Sequence, residues 1–149
     1  MEIKIYHSDY FNNCLSILKS NMPEYIDPSE QILFETFLSK IPSTYFVLFK
    51  NKSLIACGGY SLNKDQTIAG LDWGLVDKKY HANGYGTKLL KHRLSHINNQ
   101  FGTINVKLDT SQKTYKFYEK FGFKIEAISK DKYGIGLDCY DMILESIDG

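Results

Sequence analysis

The feature that most constrains this chain is the junction Leu75-Val76-Asp77-Lys78-Lys79-Tyr80-His81-Ala82-Asn83-Gly84-Tyr85-Gly86-Thr87. A β-rich run, Thr67 to Val76, leads into it, and a helical pattern leaves it from Gly84 to Asn98. In that pattern Tyr85, Leu89, Leu90, Leu94 and Ile97 form one apolar stripe, while Lys88, Lys91, His92 and Ser95 fall outward. Ile104, Val106 and Leu108 then alternate as a strand. A strand-helix-strand unit of this length calls for parallel pairing with a right-handed crossover. The helix start leaves unpaired amides that converge with positive partial charge. Gly84 and Gly86 let a phosphate approach them, and Thr87 adds a hydroxyl. Alone, the two glycines equally suit a tight strand-to-helix turn. No Gly-Lys-Ser/Thr is present and the glycine spacing is short of the dinucleotide fingerprint, so any phosphate carrier is neither ATP nor NAD.

Upstream, Glu2 to Tyr6 reads as an edge strand. Ser8 or Asp9 can cap a helix whose face is Phe11, Cys14, Leu15 and Leu18. Asn21 to Asp27, with Pro23, interrupts it. Pro28-Ser29-Glu30 opens a second helix, with Leu33, Phe34, Phe37 and Leu38 inward and Pro42 at its end. Thr44 to Phe49 and Leu54 to Tyr60 make a hairpin around Lys50-Asn51-Lys52. Ser111 to Phe121 is predicted as a second strong helix, closed by Gly122 in a left-handed cap. Phe123 to Ser129 and Leu137 to Leu144 end the chain as strands. The order β-α-α-β-β-β-α-β-α-β-β predicts an α/β chain with a mixed sheet.

Composition narrows the function classes. At 149 residues and 43% hydrophobic, residues 1–149 read as one globular domain. A net charge of +1 gives no broad basic surface, so no nucleic-acid partner is expected. The apolar runs are too short for a bilayer and the N-terminus does not resemble a signal peptide, so no membrane partner is expected. Cys14, Cys57 and Cys139 lack paired spacing, which favours reduced, buried thiols and a cytoplasmic location. His7, His92 and His96 show no ligand spacing and read as surface or capping residues, so no metal is expected.

The run His81-Ala82-Asn83-Gly84-Tyr85-Gly86 after its strand resembles motif A, Gln/Arg-x-x-Gly-x-Gly/Ala, of the GNAT superfamily of acyl-CoA-dependent N-acyltransferases. Phe117-Tyr118-Glu119-Lys120-Phe121-Gly122-Phe123 is similar to that family's aromatic-Tyr-x-x-x-Gly-Phe signature. The two lie in the family's order, and the element order fits its fold over nearly all of the chain. His81 departs from the family's Gln or Arg, leaving its backbone amide as the group that could still meet a pyrophosphate.

The resemblance implies a sheet of about seven strands and about four helices, splayed between the fourth and fifth strands. It implies acetyl-CoA as cosubstrate, with the backbone of Leu75 and Val76 along the pantetheine arm and His81, Ala82, Asn83, Gly84, Tyr85, Gly86 and Thr87 around the pyrophosphate. Ser111 or Gln112 would take the place of a family Asn, although Ser111 equally suits an N-cap. Tyr118 matches the tyrosine that protonates the departing thiolate, a step suited to a phenol. Asp72, which strand alternation places on one face with Val76 beside the expected thioester, is the first choice of general base, with Asp109 and Asp141 behind it. Tyr25, Tyr133, Asp138 and Tyr140, together with Glu24, are candidate walls for a cationic amine on a small molecule or peptide. The protein is expected to be a monomer or homodimer. Two rivals stand beside the acetyltransferase: a catalytically silent acyl-CoA sensor, and a toxin acetylating aminoacyl-tRNA.

Overall fold

The computed structural model describes residues 1–42 and 44–146. The chain runs β1 (Glu2–Ile5), α1 (Phe11–Ser20), α2 (Gln31–Ser39), β2 (Thr44–Lys50), β3 (Ser53–Leu62), β4 (Ile68–Val76), α3 (Tyr85–Phe101), β5 (Asn105–Thr110), α4 (Tyr115–Glu119), β6 (Lys124–Gly134) and β7 (Leu137–Leu144). Short 3-10 turns at Ser8–Tyr10, Pro28–Glu30 and Lys78–Tyr80 lead into α1, α2 and α3. The seven strands form one sheet in the order β1-β2-β3-β4-β5-β7-β6, and β4 with β5 is the parallel pair. This is the expected mixed α/β architecture.

Alternation along β2 and β3 divides the core into two layers. Tyr45, Val47 and Cys57 pack with Cys14, Ile17 and Leu18 of α1 and Phe34 and Leu38 of α2. Phe46, Leu48, Ala56 and Tyr60 face the other way, against Leu89 and Ile97 of α3. The three cysteines are free and buried.

Local signals explain most boundaries. Gly102, at φ +75°, ends α3, and Gly122, at φ +95°, ends α4. There the Phe123 amide donates to Tyr118 O at 3.3 Å and the Gly122 amide to Glu119 O at 3.0 Å, the paired bonds of a Schellman cap. Several expectations needed correction. α4 is one turn of helix rather than Ser111–Phe121, because the Thr114 and Tyr115 amides both bond Ser111 O in a turn before it. Leu33 is 57% exposed rather than inward. His7, not Ser8 or Asp9, caps the first turn, its Nδ1 accepting from the Asp9 amide. His92 and His96 are half-buried against Phe46, and His96 Nδ1 bonds Tyr60 Oη at 2.6 Å.

Two departures from regular pairing shape the middle of the sheet. β4 pairs with β5 only through Ile68–Gly70 against Asn105–Lys107, and beyond these residues the two strands part. Against β3, Cys57 pairs with Leu75 but Gly59 with Asp72, so Trp73 and Gly74 stand opposite the single residue Gly58. This is a β-bulge, and Trp73 sits in it at φ +41°. A bulky residue rarely adopts that conformation, which costs about 1–3 kcal/mol unless its surroundings hold it. Tyr45 Oη donates to Trp73 O at 2.7 Å, and the indole packs on Phe34 at 4.9 Å between ring centroids. On the α3 side, the guanidinium of buried Arg93 lies against Gly58 and Gly74 and donates to Gly59 O at 3.3 Å. Arg93 is only 3% exposed.

Gly59 is the tightest point of this arrangement, since a Cβ there would lie 2.0 Å from Thr44 O and 2.7 Å from Tyr45 Cα. Both obstacles are backbone. Gly59→Ala should therefore lower stability by about 1–3 kcal/mol, read as a lower urea midpoint at unchanged slope.

Candidate functional site

Where β4 and β5 part, a cleft of about 870 Å³ passes between them. Leu89, Arg93, Phe117 and Tyr118 line it from the α3 and α4 side, and Tyr25, Asp27, Glu30 and Tyr133 line it from the α1 and α2 side. The facing backbones of 71–76 and 108–110 have no strand partner in each other, which leaves an extended slot suited to a ligand strand.

The α3 end of the cleft gathers the unpaired amides of a helix start. Gly84 precedes the helix at φ +85°, and Ala82 is also left-handed at φ +61°. The first helical bond runs from the Lys88 amide to Gly84 O at 3.1 Å, so the amides of Tyr85, Gly86 and Thr87 come before any intrahelical acceptor. A Cβ on Gly86 would meet Phe117 at 3.5 Å, whereas one on Gly84 meets nothing within 4 Å. Gly84 is therefore required for its backbone angle and Gly86 sits close under the aromatic wall. These residues fit a diphosphate.

His81 also lines the cleft, but its amide and Nε2 are engaged within the protein. Its amide donates to Lys78 O at 3.2 Å, and its Nε2 donates to Val76 O at 3.0 Å. Asn21 Nδ2 donates to the same carbonyl at 3.0 Å, so both lone pairs of Val76 O are engaged within the protein. The sequence expectation of a His81 amide free for pyrophosphate does not describe this arrangement. Ala82, Gly84, Tyr85, Gly86 and Thr87 line the cleft with Leu75 and Val76, while Asn83 bonds His81 O at 2.9 Å.

Tyr118 lines the cleft between Phe117, at 5.0 Å, and Phe123, at 5.9 Å, both edge-to-face. Ser111 is buried at the cleft wall and its Oγ accepts the Lys113 amide at 3.2 Å, a capping role. Gln112 ties down the terminal hairpin instead, with Nε2 on Gly136 O at 2.6 Å and Oε1 accepting the Asp138 amide at 2.9 Å.

The opposite mouth is acidic. The bulge inverts the alternation of β4, so Asp72 faces the α1 and α2 side with Gly59 while Val76 faces α3 with Ala56. This replaces the expectation that Asp72 and Val76 share a face. Asp72 accepts Ser61 Oγ. Burial raises its pKa, opposed by that bond and by Arg93. Asp109 accepts the Tyr133 hydroxyl, and burial with this bond pushes the phenol well up. Asp109 also stands directly across from Asp141 in the β5-β7 ladder.

The other acceptor candidates are mostly engaged by the protein. Glu24 pairs with Lys78 at 2.5 Å, and Lys113 Nζ donates to Glu24 O at 2.6 Å while lying 5.9 Å over the Tyr25 ring. Asp138 accepts the Asp131 amide at 2.9 Å within the hairpin, and Tyr140 stacks on Tyr115 at 4.6 Å. Tyr25 and Tyr133 line the cleft; Asp138 and Tyr140 are not among its lining residues. Arg93 and Glu30 are cleft residues that the sequence reading passed over. Arg93 lay in the buried stripe of α3 at Leu89 plus four, which could have marked it; Glu30 read only as part of a helix start.

Residues 11–123 match the family model described as Acetyltransferase (GNAT) family, and the chain belongs to that family. Among solved structures it is similar to the ribosomal-protein-S18-alanine N-acetyltransferase from Escherichia coli, with a TM-score of 0.81 at 20% identity over 99% of this chain and 96% of that one. It is also similar to the aminoglycoside 6'-N-acetyltransferase from Enterococcus faecium, with a TM-score of 0.76 at 16% identity over 100% and 99%. An aminoglycoside 6'-N-acetyltransferase complexed with coenzyme A matches with a TM-score of 0.78 at 17% identity over 100% and 99%. At these identities the likeness is one of fold. No curated protein matches the sequence. Among the described residues there is no group of three or more His, Cys, Asp or Glu placed to hold a metal, and no helix long and apolar enough to cross a membrane.

The geometry at Gly84 yields a prediction. Gly84→Val forces a β-branched residue into a left-handed angle, and realigning the start of α3 would turn its amides from the cleft. Isothermal titration with coenzyme A should show at least a tenfold loss of affinity, about 1.4 kcal/mol.

Proposed function

We propose that this protein is an N-acetyltransferase that moves the acetyl group of acetyl-CoA to an amine of a cationic small molecule or peptide by direct attack. The 149-residue chain would act as one catalytic unit in the cytoplasm. The observation that carries this reading is the cleft itself. It crosses the sheet from unpaired helix-start amides on one side to carboxylates on the other.

Acetyl-CoA supplies an activated carbonyl. The amides of Tyr85, Gly86 and Thr87 would hold its diphosphate, and the open edge of β4 at Leu75 would align the arm leading to the thioester. Tyr118 would donate its phenolic proton to the departing thiolate. No protein acceptor claims that hydroxyl among the described hydrogen bonds, so it is available for the step. Asp72, held by Ser61 and facing the acidic mouth, would attract the acceptor ammonium.

The neighbours named above bear on the acceptor: two are named for aminoglycosides and one for an alanine of a ribosomal protein. An acidic mouth on a chain of net charge +1 favours a basic acceptor of either kind. Tyr118→Phe should lower kcat about 100-fold, within the range of a lost general acid, while the acetyl-CoA Kd stays within twofold. Thiol release against an amine panel measures the first and calorimetry the second. Saturable coenzyme binding with no release from any amine would instead establish a silent sensor.

A further inference from the structure

Four of the carboxylates around the acidic mouth are already engaged. Asp72 accepts Ser61 Oγ, Asp109 accepts the Tyr133 hydroxyl, Asp27 accepts the Ser29 amide and hydroxyl, and Glu24 pairs with Lys78. Glu30 differs: among the described residues its carboxylate has neither a hydrogen-bond donor nor an ion-pair partner, yet it is half-buried and lines the cleft. It sits on the 3-10 turn before α2, and the terminal hairpin closes over that turn. A Cβ on Gly134 would lie 2.3 Å from Asp27 Oδ1, so the hairpin backbone presses directly on the turn that carries Glu30.

We propose that Glu30 is the general base that removes the proton from the acceptor ammonium before its nitrogen attacks. The assignment rests on the transferase reading above. In balance, the N–H bond breaks toward the Glu30 carboxylate and the electron pair stays on nitrogen. That nitrogen then adds to the thioester carbonyl, the C–S bond breaks, and the thiolate takes the Tyr118 proton; the second N–H proton leaves the new amide nitrogen and restores the Tyr118 hydroxyl. Asp72 keeps its bond to Ser61 and acts on the ammonium by charge.

The surroundings tune Glu30 for this task. Burial raises its pKa to about 7, with Asp109 on β5 and Asp27 on its own turn adding like-charge repulsion. The other charged or titratable residues lining the cleft are Asp72, Arg93, Lys113, Lys120, His81, Tyr25, Tyr80, Tyr85, Tyr118 and Tyr133. A base that titrates near neutrality is partly ionised at neutral pH, more so just above it, and still holds a proton well. The same shift marks stability. The folded carboxyl lies near 7 and the unfolded near 4.5, so the folded state binds more protons between them. Stability from this group is complete below the lower value and lost as pH rises to the upper one.

Glu30→Gln separates the outcomes, because it keeps the shape and removes the titration. Relative to wild type, it should melt at the same temperature at pH 4 and at a higher temperature at pH 8. With an amine acceptor, kcat should fall about 100-fold and the rise of rate through pH 7 should vanish, with acetyl-CoA affinity unchanged. Asp72→Asn should keep that rise and raise the KM for the amine. Robust wild-type turnover with the pH rise intact in Glu30→Gln overturns the Glu30 assignment alone, as does the absence of any difference in melting between pH 4 and pH 8. Wild-type protein that releases no coenzyme from any amine overturns the transferase reading, and the role of Glu30 falls with it.

Discussion

The contact on which the site depends is the clasp around the β4 bulge. From one face the Tyr45 hydroxyl holds Trp73 O, and from the other the Arg93 guanidinium fills the space left by Gly58 and Gly74. Neither hold is a simple packing contact. Arg93 is a buried cation whose Nε has no partner among the described residues, an arrangement that costs free energy wherever it serves no further end. Its position explains its retention: it stands where β4 turns from β5, and its charge reaches both Asp72 and Tyr45. The strain of Trp73 at φ +41° is held in the same place. The clasp lies on the stretch of β4 that runs unpaired beside β5.

Much of this was legible in the chain before any coordinates. The Gly84-Tyr85-Gly86 helix start, the element order and the Gly122 cap all rest on local signals, and local signals survive folding. The losses have one physical origin: they depend on residues distant in sequence. Parity along β4 was read as unbroken, and a single bulge moved Asp72 to the face opposite Val76. Glu24 and Tyr25 look like a trap for a foreign cation until Lys78 and Lys113 are found there already. Leu33 reads as core on a wheel, yet α2 turns it outward. Glu30 carries no motif at all; only its lack of partners in the folded cleft distinguishes it from its neighbours.

The two halves of the cleft are electrostatically opposite. Helix-start amides provide partial positive charge near Gly84, and Asp27, Glu30, Asp72 and Asp109 provide negative charge at the other mouth. On the proposed reading, a polyanionic donor and a cationic acceptor would each be drawn to a different side of one sheet. The protein's overall charge of +1 conceals this polarity, because lysines elsewhere offset the acidic mouth.

The doubly bonded Val76 carbonyl has a consequence for how the pocket behaves when empty. Asn21 belongs to the end of α1 and His81 to the loop before α3, so one oxygen ties together both walls of the passage. The entrance is thereby fastened at its rim before anything enters it. A coenzyme entering there would meet a frame whose ordering entropy was already spent in folding, and its affinity would be reduced less by that cost than by a floppy gateway.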